Sequence, residues 1–248
     1  FEVVPGVTSA VAVPAYAGIP ATHRGLSSSL AIVTGHEDPT KEESALRWER
    51  LATATDTLVV LMGTRTLPRL VEELIAHGRP PDTPVAVIRW GTTPEQETVT
   101  GTLADIVARV EAAGLRPPTV LVVGEVVRLR ERLAWFEARP LFGRRVLVTR
   151  ARHQAGQLSR QLLEAGALPV EVPVIEIEPL PEGPATAAAL RRLAEGAYRW
   201  AVFTSANAVE VFFRLLESRG RDARALAGVR VAAIGPGTVS YTHLTLTT

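Results

Sequence analysis

Along this chain β-rich apolar runs alternate with amphipathic helical segments, and the alternation restarts once after a short linker. Leu30–Thr34 is a short apolar run bounded by Ser and Gly, and Thr57–Leu61 with Met62 is β-rich and turns at Gly63. Between them residues 41–54 read as a charged amphipathic helix. Leu67, Leu70, Val71, Leu74 and Ile75 then share one helical face, stopped by Gly78 and Pro80. Residues 85–90, 97–101 and 119–123 read as further strands. Thr102 opens a helix with Leu103, Ile106, Val107 and Val110 inward and Asp105 placed for a capping box. Residues 128–137 read as a short charged helix.

After residues 139–144 the pattern begins again, with strands expected at 146–149, 170–177, 201–204 and 229–234 and helices at 157–165, 185–194 and 205–219. Strands alternating with helices predict a parallel α/β architecture in both units. The expected organisation is a first domain over 1–138, a linker over 139–144 and a second, partial α/β domain over 145–238. Residues 239–248 are threonine-rich, uncharged and aperiodic, and read as a non-native tail. Phe1 lies inside a Val/Pro/Gly-rich segment and reads as a cut end.

Composition narrows the chemistry. The 248 residues carry 27 Lys+Arg against 26 Asp+Glu, a formal charge of +1 that gives no general attraction to nucleic acid or to an anionic membrane. No apolar run reaches the roughly 18 residues that span a bilayer. With no cysteine there is no disulfide framework, thiolate nucleophile or Cys-ligated zinc, which fits a reducing, cytoplasmic setting. Lys41 is the only lysine, so Schiff-base chemistry is disfavoured. His23 and His36 lack the close spacing of a common zinc motif, and no metal is expected.

In open α/β folds ligands sit beyond the C-terminal strand edges, which singles out the Thr8-Ser9 turn, Met62-Gly63, Trp90-Gly91-Thr92 and Thr119. A strand-end glycine allows close backbone approach to a ligand, and a lone thioether can press against an aromatic base. Each also has an ordinary reading, as turn glycine, core methionine or helix cap.

Taken together, the segments Val-Val-Pro-Gly-Val-Thr-Ser-Ala (3–10), Ala-Tyr-Ala-Gly-Ile-Pro-Ala-Thr-His-Arg (15–24), Val-Thr-Gly-His (33–36), Leu-Met-Gly (61–63) and Pro-Val-Ala-Val with Gly91, Thr92 and Gln96 closely resemble the uroporphyrinogen-III C-methyltransferases, of the tetrapyrrole methylase fold. The resemblance runs from Phe1 to about Glu137, and Ala-Gly-Ile-Pro-x-Thr-His-Arg is its most specific part. It implies that Thr8, Ser9, Met62, Gly91 and Thr119 bind S-adenosylmethionine and that Arg24 binds a substrate carboxylate. Ser9 stands where many relatives have Ala, a swap that keeps the residue small. An arginine fork suits a polyacid such as uroporphyrinogen III. The implied reaction is successive methyl transfer to ring carbons, giving precorrin-2. The family's N-terminal half, with its Gly-rich loop, Gly-Gly-Asp loop and acid/base residues, has no counterpart in this sequence, so catalytic residues are not assigned and little turnover is expected of the chain alone.

Thr204 and Ser205 fall where a strand meets a helix N-terminus, a place that attracts carboxylates, and Arg150 ends another strand. A simple helix cap and a surface ion pair explain the same residues. Gly-Pro-Gly-Thr (235–238) lacks the lysine and spacing of a phosphate loop and reads as a turn. Arg-Val-Leu-Val-Thr-Arg (145–150), the proline-edged 170–179 strand and Phe-Thr-Ser-Ala-Asn-Ala-Val-Glu (203–210) resemble uroporphyrinogen-III synthase, which closes hydroxymethylbilane with inversion of ring D. That resemblance implies a flavodoxin-like parallel unit in which Arg150, Thr204 and Ser205 contact substrate.

The two resemblances name consecutive steps of tetrapyrrole synthesis, on the branch toward sirohaem and cobalamin. They imply small-molecule tetrapyrrole partners, no nucleic acid, no membrane, and a homodimer through the methylase unit. The competing readings are methylation of a later corrin precursor and a non-catalytic α/β ligand-binding module.

Overall fold

The computed structural model describes residues 1–35, 46–150, 152–180 and 182–239. His36, Lys41, the first part of the helix expected at 41–54 and nearly all of the threonine-rich tail lie outside the described residues. The chain divides into two compact units, 1–176 and 177–248.

The first unit is built on a five-stranded sheet of order β1-β2-β5-β3-β4, from β1 (Leu30–Thr34), β2 (Thr57–Leu61), β3 (Pro84–Arg89), β4 (Glu97–Thr102) and β5 (Thr119–Val123). Only β1 and β2 run parallel; β5 is antiparallel to both β2 and β3, and β3 is antiparallel to β4. The wholly parallel sheet expected from the strand–helix alternation is therefore corrected to a mixed one. The physical reason is that β3 returns into β4 through a short turn with no crossover helix, which an antiparallel pair permits and a parallel pair does not.

Side chains alternate across this sheet with the period of two that strands impose. Leu58, Val60, Val85, Val87, Leu121 and Val123 face one core, with α2 (Trp48–Ala54), α3 (Leu67–Ala76) and α4 (Ile106–Ala112) packed over it. Val59, Ala86, Ile88, Val120 and Val122 face the other, covered by α1 (Ser9–Tyr16) and by the 3-10 turn Glu125–Leu129. Thr8 caps α1, its hydroxyl accepting from Ala10 N–H at 3.3 Å. The helix expected to open at Thr102 starts later, α4 beginning at Ile106 with Asp105 at its N-cap, because Thr102 ends β4; the Asp105 carboxylate still accepts from Thr102 N–H at 2.6 Å and from the Arg109 guanidinium at 2.5 Å. Those bonds, the backbone donor foremost, hold the Asp105 carboxyl below its ordinary range.

The helix expected over 128–137 is shorter, α5 (Arg130–Leu133). Beyond it Trp135 and Phe136 pack against Tyr16 with ring centroids 5.1 and 4.8 Å away. The 139–144 stretch is docked rather than loose: Leu141 N–H donates to Ala165 O at 2.9 Å, and Leu168 N–H to Arg144 O at 2.8 Å. These bonds join the stretch to the elements that follow it, β6 (Arg145–Val148), α6 (Arg152–Glu164) and β7 (Leu168–Glu171), which fall within the first compact unit, and β6 and β7 pair in parallel. The strand expected over 170–177 ends early, at Glu171, because Pro173 has no N–H to continue the ladder.

The second unit holds α7 (Pro184–Ala194), β8 (Trp200–Phe203), α8 (Ala206–Glu217) and β9 (Arg230–Ala233), with β8 and β9 parallel. Its core joins Leu190, Leu193, Phe203, Val209, Phe213, Leu216 and Leu226. Among the described residues no helix is long and apolar enough to cross a membrane.

Candidate functional site

The register of the first sheet lines up one set of strand ends. Thr34 pairs with Leu61, Leu61 with Val120 and Arg89 with Thr119, so the ends of β1, β2 and β3 and the start of β5 share one edge. Met62, Gly91 and Thr119, named separately from the sequence, therefore come together on this edge.

Backbone conformation sets the edge apart. Among the described residues the non-glycine residues with positive φ are Met62 (56°), Trp90 (44°) and Thr92 (75°), and all three lie there. Side-chain sterics disfavour this region, at about 1–3 kcal/mol per residue, and such strain concentrates at ligand sites. Met62 is 62% exposed and Trp90 43% exposed, an apolar lip beside open backbone. The Arg89 guanidinium stacks 4.1 Å over the Trp90 ring.

Close approach of backbones supports the same edge. A Cβ on Gly35 would lie 2.7 Å from the Gly63 Cα, so the turn after β1 lies against the turn after β2 only because Gly35 lacks a side chain. The Thr66 hydroxyl donates to Gly35 O at 2.8 Å and clips the two turns together. Thr64 and Thr119 share a hydroxyl–hydroxyl bond across the β2–β5 junction. Thr64 and Thr66 escaped the sequence reading; their only signal was position, just past Met62-Gly63.

Thr8 and Ser9 open α1, which lies across the sheet face next to this edge. Val13 of that helix fills the space above Gly91: a Cβ there would lie 2.3 Å from Val13 Cγ1. Thr8 is about 7.5 Å further along the helix axis from Val13, five residues at the α-helical rise.

Arg24 is placed elsewhere. It is exposed at the tip of a tight turn closed by Ser27 N–H donating to His23 O at 2.9 Å. Ser27 bonds Thr57 through their hydroxyls at 2.7 Å, which anchors the turn at the start of β2, the far end of that strand from Met62. Asp56 accepts from Ser28 and Ser29 N–H there and is held below the usual carboxylate range by those bonds. The structure thus does not bring Arg24 to the Met62 cluster.

The candidates of the second part belong to two different compact units. Arg150 follows β6 and Thr204 follows β8, strands of different sheets in different compact units. The Ser205 hydroxyl caps α8, accepting from Ala208 N–H at 3.1 Å. Thr204 and Arg150 are exposed. Among the described residues no group of three His, Cys, Asp or Glu side chains is placed to hold a metal ion.

Residues 1–107 match the family model of the Tetrapyrrole (Corrin/Porphyrin) Methylases, and residues 156–243 that of Uroporphyrinogen-III synthase HemD. The porphyrin biosynthesis protein HemD of Ruminiclostridium josui is 40% identical over 238 residues, 96% of this chain and 47% of that protein. The uroporphyrinogen-III C-methyltransferase of Bacillus subtilis (strain 168) is 38% identical over 233 residues, 94% of this chain and 47% of its own length. The S-adenosyl-L-methionine-dependent uroporphyrinogen III methyltransferase of Methanosarcina barkeri (strain Fusaro / DSM 804) is 56% identical over 131 residues, 53% of this chain and 51% of that enzyme. The chain spans about half the length of these relatives. The stretch matched by the methylase model includes Met62 and Gly91 on the strained sheet edge, and the stretch matched by the synthase model includes the parallel β8 and β9, so residues 1–107 are similar to the tetrapyrrole methylases and residues 156–243 to the uroporphyrinogen-III synthases.

Proposed function

We propose that this chain is part of a bifunctional tetrapyrrole-biosynthesis enzyme: an S-adenosylmethionine-dependent uroporphyrinogen-III C-methyltransferase, yielding precorrin-2, joined to a uroporphyrinogen-III synthase segment. The observation that carries the first half is the clustering of Met62, Trp90 and Thr92 in left-handed conformation on one sheet edge, beside Gly91 and Thr119. In this reading S-adenosylmethionine supplies an electrophilic methyl group. Met62 presses its exposed thioether on the bound donor, the Gly91 backbone approaches it closely, and Thr119, held by Thr64, closes the floor. Thr8 and Ser9 contribute from the start of α1. These residues orient the donor and exclude water, which suits attack by an electron-rich ring carbon.

Arg24, exposed and away from this edge, is assigned to carboxylate binding at a distance from the transferred methyl group. Arg150, Thr204 and Ser205 are assigned to the acidic substrate of the synthase, supported by the family match over 156–243. The boundaries that fit this reading are a methylase part over 1–138, a linker over 139–144 and a synthase part from 145, whose family match runs on to 243, past the 238 expected from the sequence. A cytoplasmic homodimer belongs to the same reading, drawn from the family resemblance.

The test is to join the chain to a methylase N-terminal half and supply uroporphyrinogen III with S-adenosylmethionine. Precorrin-2 is expected; absence of any methylated product contradicts the proposal. For the synthase part, hydroxymethylbilane should yield the III isomer, and formation of the I isomer alone contradicts it.

A further inference from the structure

The turn Trp90–Gln96 has to hold Trp90 and Thr92 in left-handed backbone with Gly91 pressed against Val13. What restrains it lies one layer below. Thr92 N–H donates to Gln96 Oε1 at 2.9 Å, and Gln96 is 4% exposed. Gln96 Nε2 donates to Glu137 Oε1 at 2.7 Å, and the Thr98 hydroxyl donates to the same oxygen at 2.8 Å. Arg130 Nη2 donates to Glu137 Oε2, while its Nη1 donates to Ala17 O at 2.7 Å, at the end of α1. One carboxylate therefore links both walls of the candidate donor site: the Gly91 turn through Gln96, and α1 through Arg130.

The direction of these bonds is fixed by chemistry. A carboxylate only accepts, so Gln96 must turn its NH2 to Glu137, which leaves its carbonyl oxygen facing the Thr92 N–H. We infer that Glu137 is a positioning residue for the methyl-donor site: by setting the orientation of the Gln96 amide it holds the Trp90–Thr92 backbone in its ligand-ready conformation, with Arg130 tying α1 to the same point. This rests on the proposed donor site. Glu137 sits outside every motif quoted from the sequence.

In E137Q one side of the new amide must donate. Toward Arg130 it opposes a cation; toward Gln96 it opposes an NH2 group and turns that amide over, leaving Thr92 N–H without its acceptor. In Q96E two carboxylates face each other. In the double swap Q96E/E137Q the new carboxylate at 96 accepts from Thr92 N–H and from the new amide at 137, which restores complementarity.

The experiment measures Thr92 amide hydrogen exchange by NMR, and S-adenosylhomocysteine affinity by calorimetry, on the chain joined to a methylase N-terminal half and on these three variants of it. Both single variants should exchange Thr92 at least about tenfold faster and bind about tenfold more weakly, with the double swap recovering much of each. A generic loss of stability would not be recovered by swapping donor and acceptor. Unchanged Thr92 exchange in E137Q overturns the inference, as does accelerated exchange with unchanged affinity. If the unaltered joined chain binds no S-adenosylhomocysteine while Thr92 exchange still depends on Glu137, the donor site itself is refuted and the positioning role falls with it.

Discussion

Val13 stands directly over Gly91: a Cβ at position 91 would lie 2.3 Å from Val13 Cγ1 and 2.8 Å from Val13 Cβ. A β-branched side chain has little rotamer freedom with which to yield, so the smallest side chain is required at the strand end. The same packing that seats α1 on the sheet therefore leaves the Gly91 backbone bare on the edge where the donor is assigned.

Gly91→Ala is expected to destabilise the first unit by about 1–3 kcal/mol through overpacking. Val13→Ala alone should cost about 1 kcal/mol or more for the lost packing. The double variant should be less destabilised than the sum of the two, because the clash disappears. Denaturant unfolding of the single and double variants checks this; strict additivity would contradict the contact.

Met62 is exposed and holds φ at 56°. Met62→Gly removes the steric cost of that conformation and should stabilise the fold, or leave it unchanged, by up to about 1 kcal/mol. Met62→Ala keeps the cost without the thioether. Both should weaken S-adenosylhomocysteine binding. Opposite signs for stability and binding in Met62→Gly are the signature of a residue held for its ligand; loss of both together would contradict it.

Glu137 gives a pH dependence whose sign follows from its surroundings. Burial raises its carboxyl, but bonds from Arg130, Gln96 and Thr98 outweigh burial and hold it below the usual glutamate range. The unfolded chain then binds the proton more readily, so the stability contributed by Glu137 is present above its unfolded value and disappears as pH falls through the folded one. Acid titration of thermal unfolding should show a shallower decline in E137Q than in the unaltered chain. Asp56 and Asp105, also lowered, keep part of the slope in both.

Arg79 is 7% exposed and donates to Ala52 O at 3.0 Å, Thr55 O at 2.8 Å and Asp56 O at 2.7 Å, closing the end of α2. Its burial lowers its affinity for the proton, though an arginine stays charged. Arg79→Met strands three carbonyls and should cost roughly 2–3 kcal/mol. Arg79→Lys, unable to fork across three acceptors, should recover only part of that in denaturant unfolding.

Element types were legible wherever periodicity was strong. Leu67, Leu70, Val71 and Leu74 marked α3, whereas residue type allowed Thr8 or Ser9 as the cap of α1 and the structure uses Thr8. Strand direction was not legible: alternation reports faces, and only the absence of a helix between Arg89 and Glu97 hinted that β3 and β4 form a hairpin. Prolines at 169 and 173 were visible, yet where the β7 ladder stops depends on which N–H groups face β6. Of the candidate site, Met62, Gly91 and Thr119 could be named because strand ends are readable. Their left-handed neighbours Trp90 and Thr92 carry no glycine signal, and Glu137 reaches Gln96 across 41 positions of sequence. Arg24 was grouped with the donor site because a motif carries no distance; the Ser27–Thr57 bond places its turn at the other end of β2.

The donor edge is tested most simply by titrating the isotopically labelled chain, joined to a methylase N-terminal half, with S-adenosylhomocysteine and following its backbone amides. Saturable shifts are expected to concentrate at Thr8, Ser9, Met62, Gly63, Gly91, Thr92 and Thr119, with the Arg24 turn unmoved. Saturable binding that shifts a different face of the sheet, or no binding at concentrations that saturate a methylase relative, would contradict the assignment.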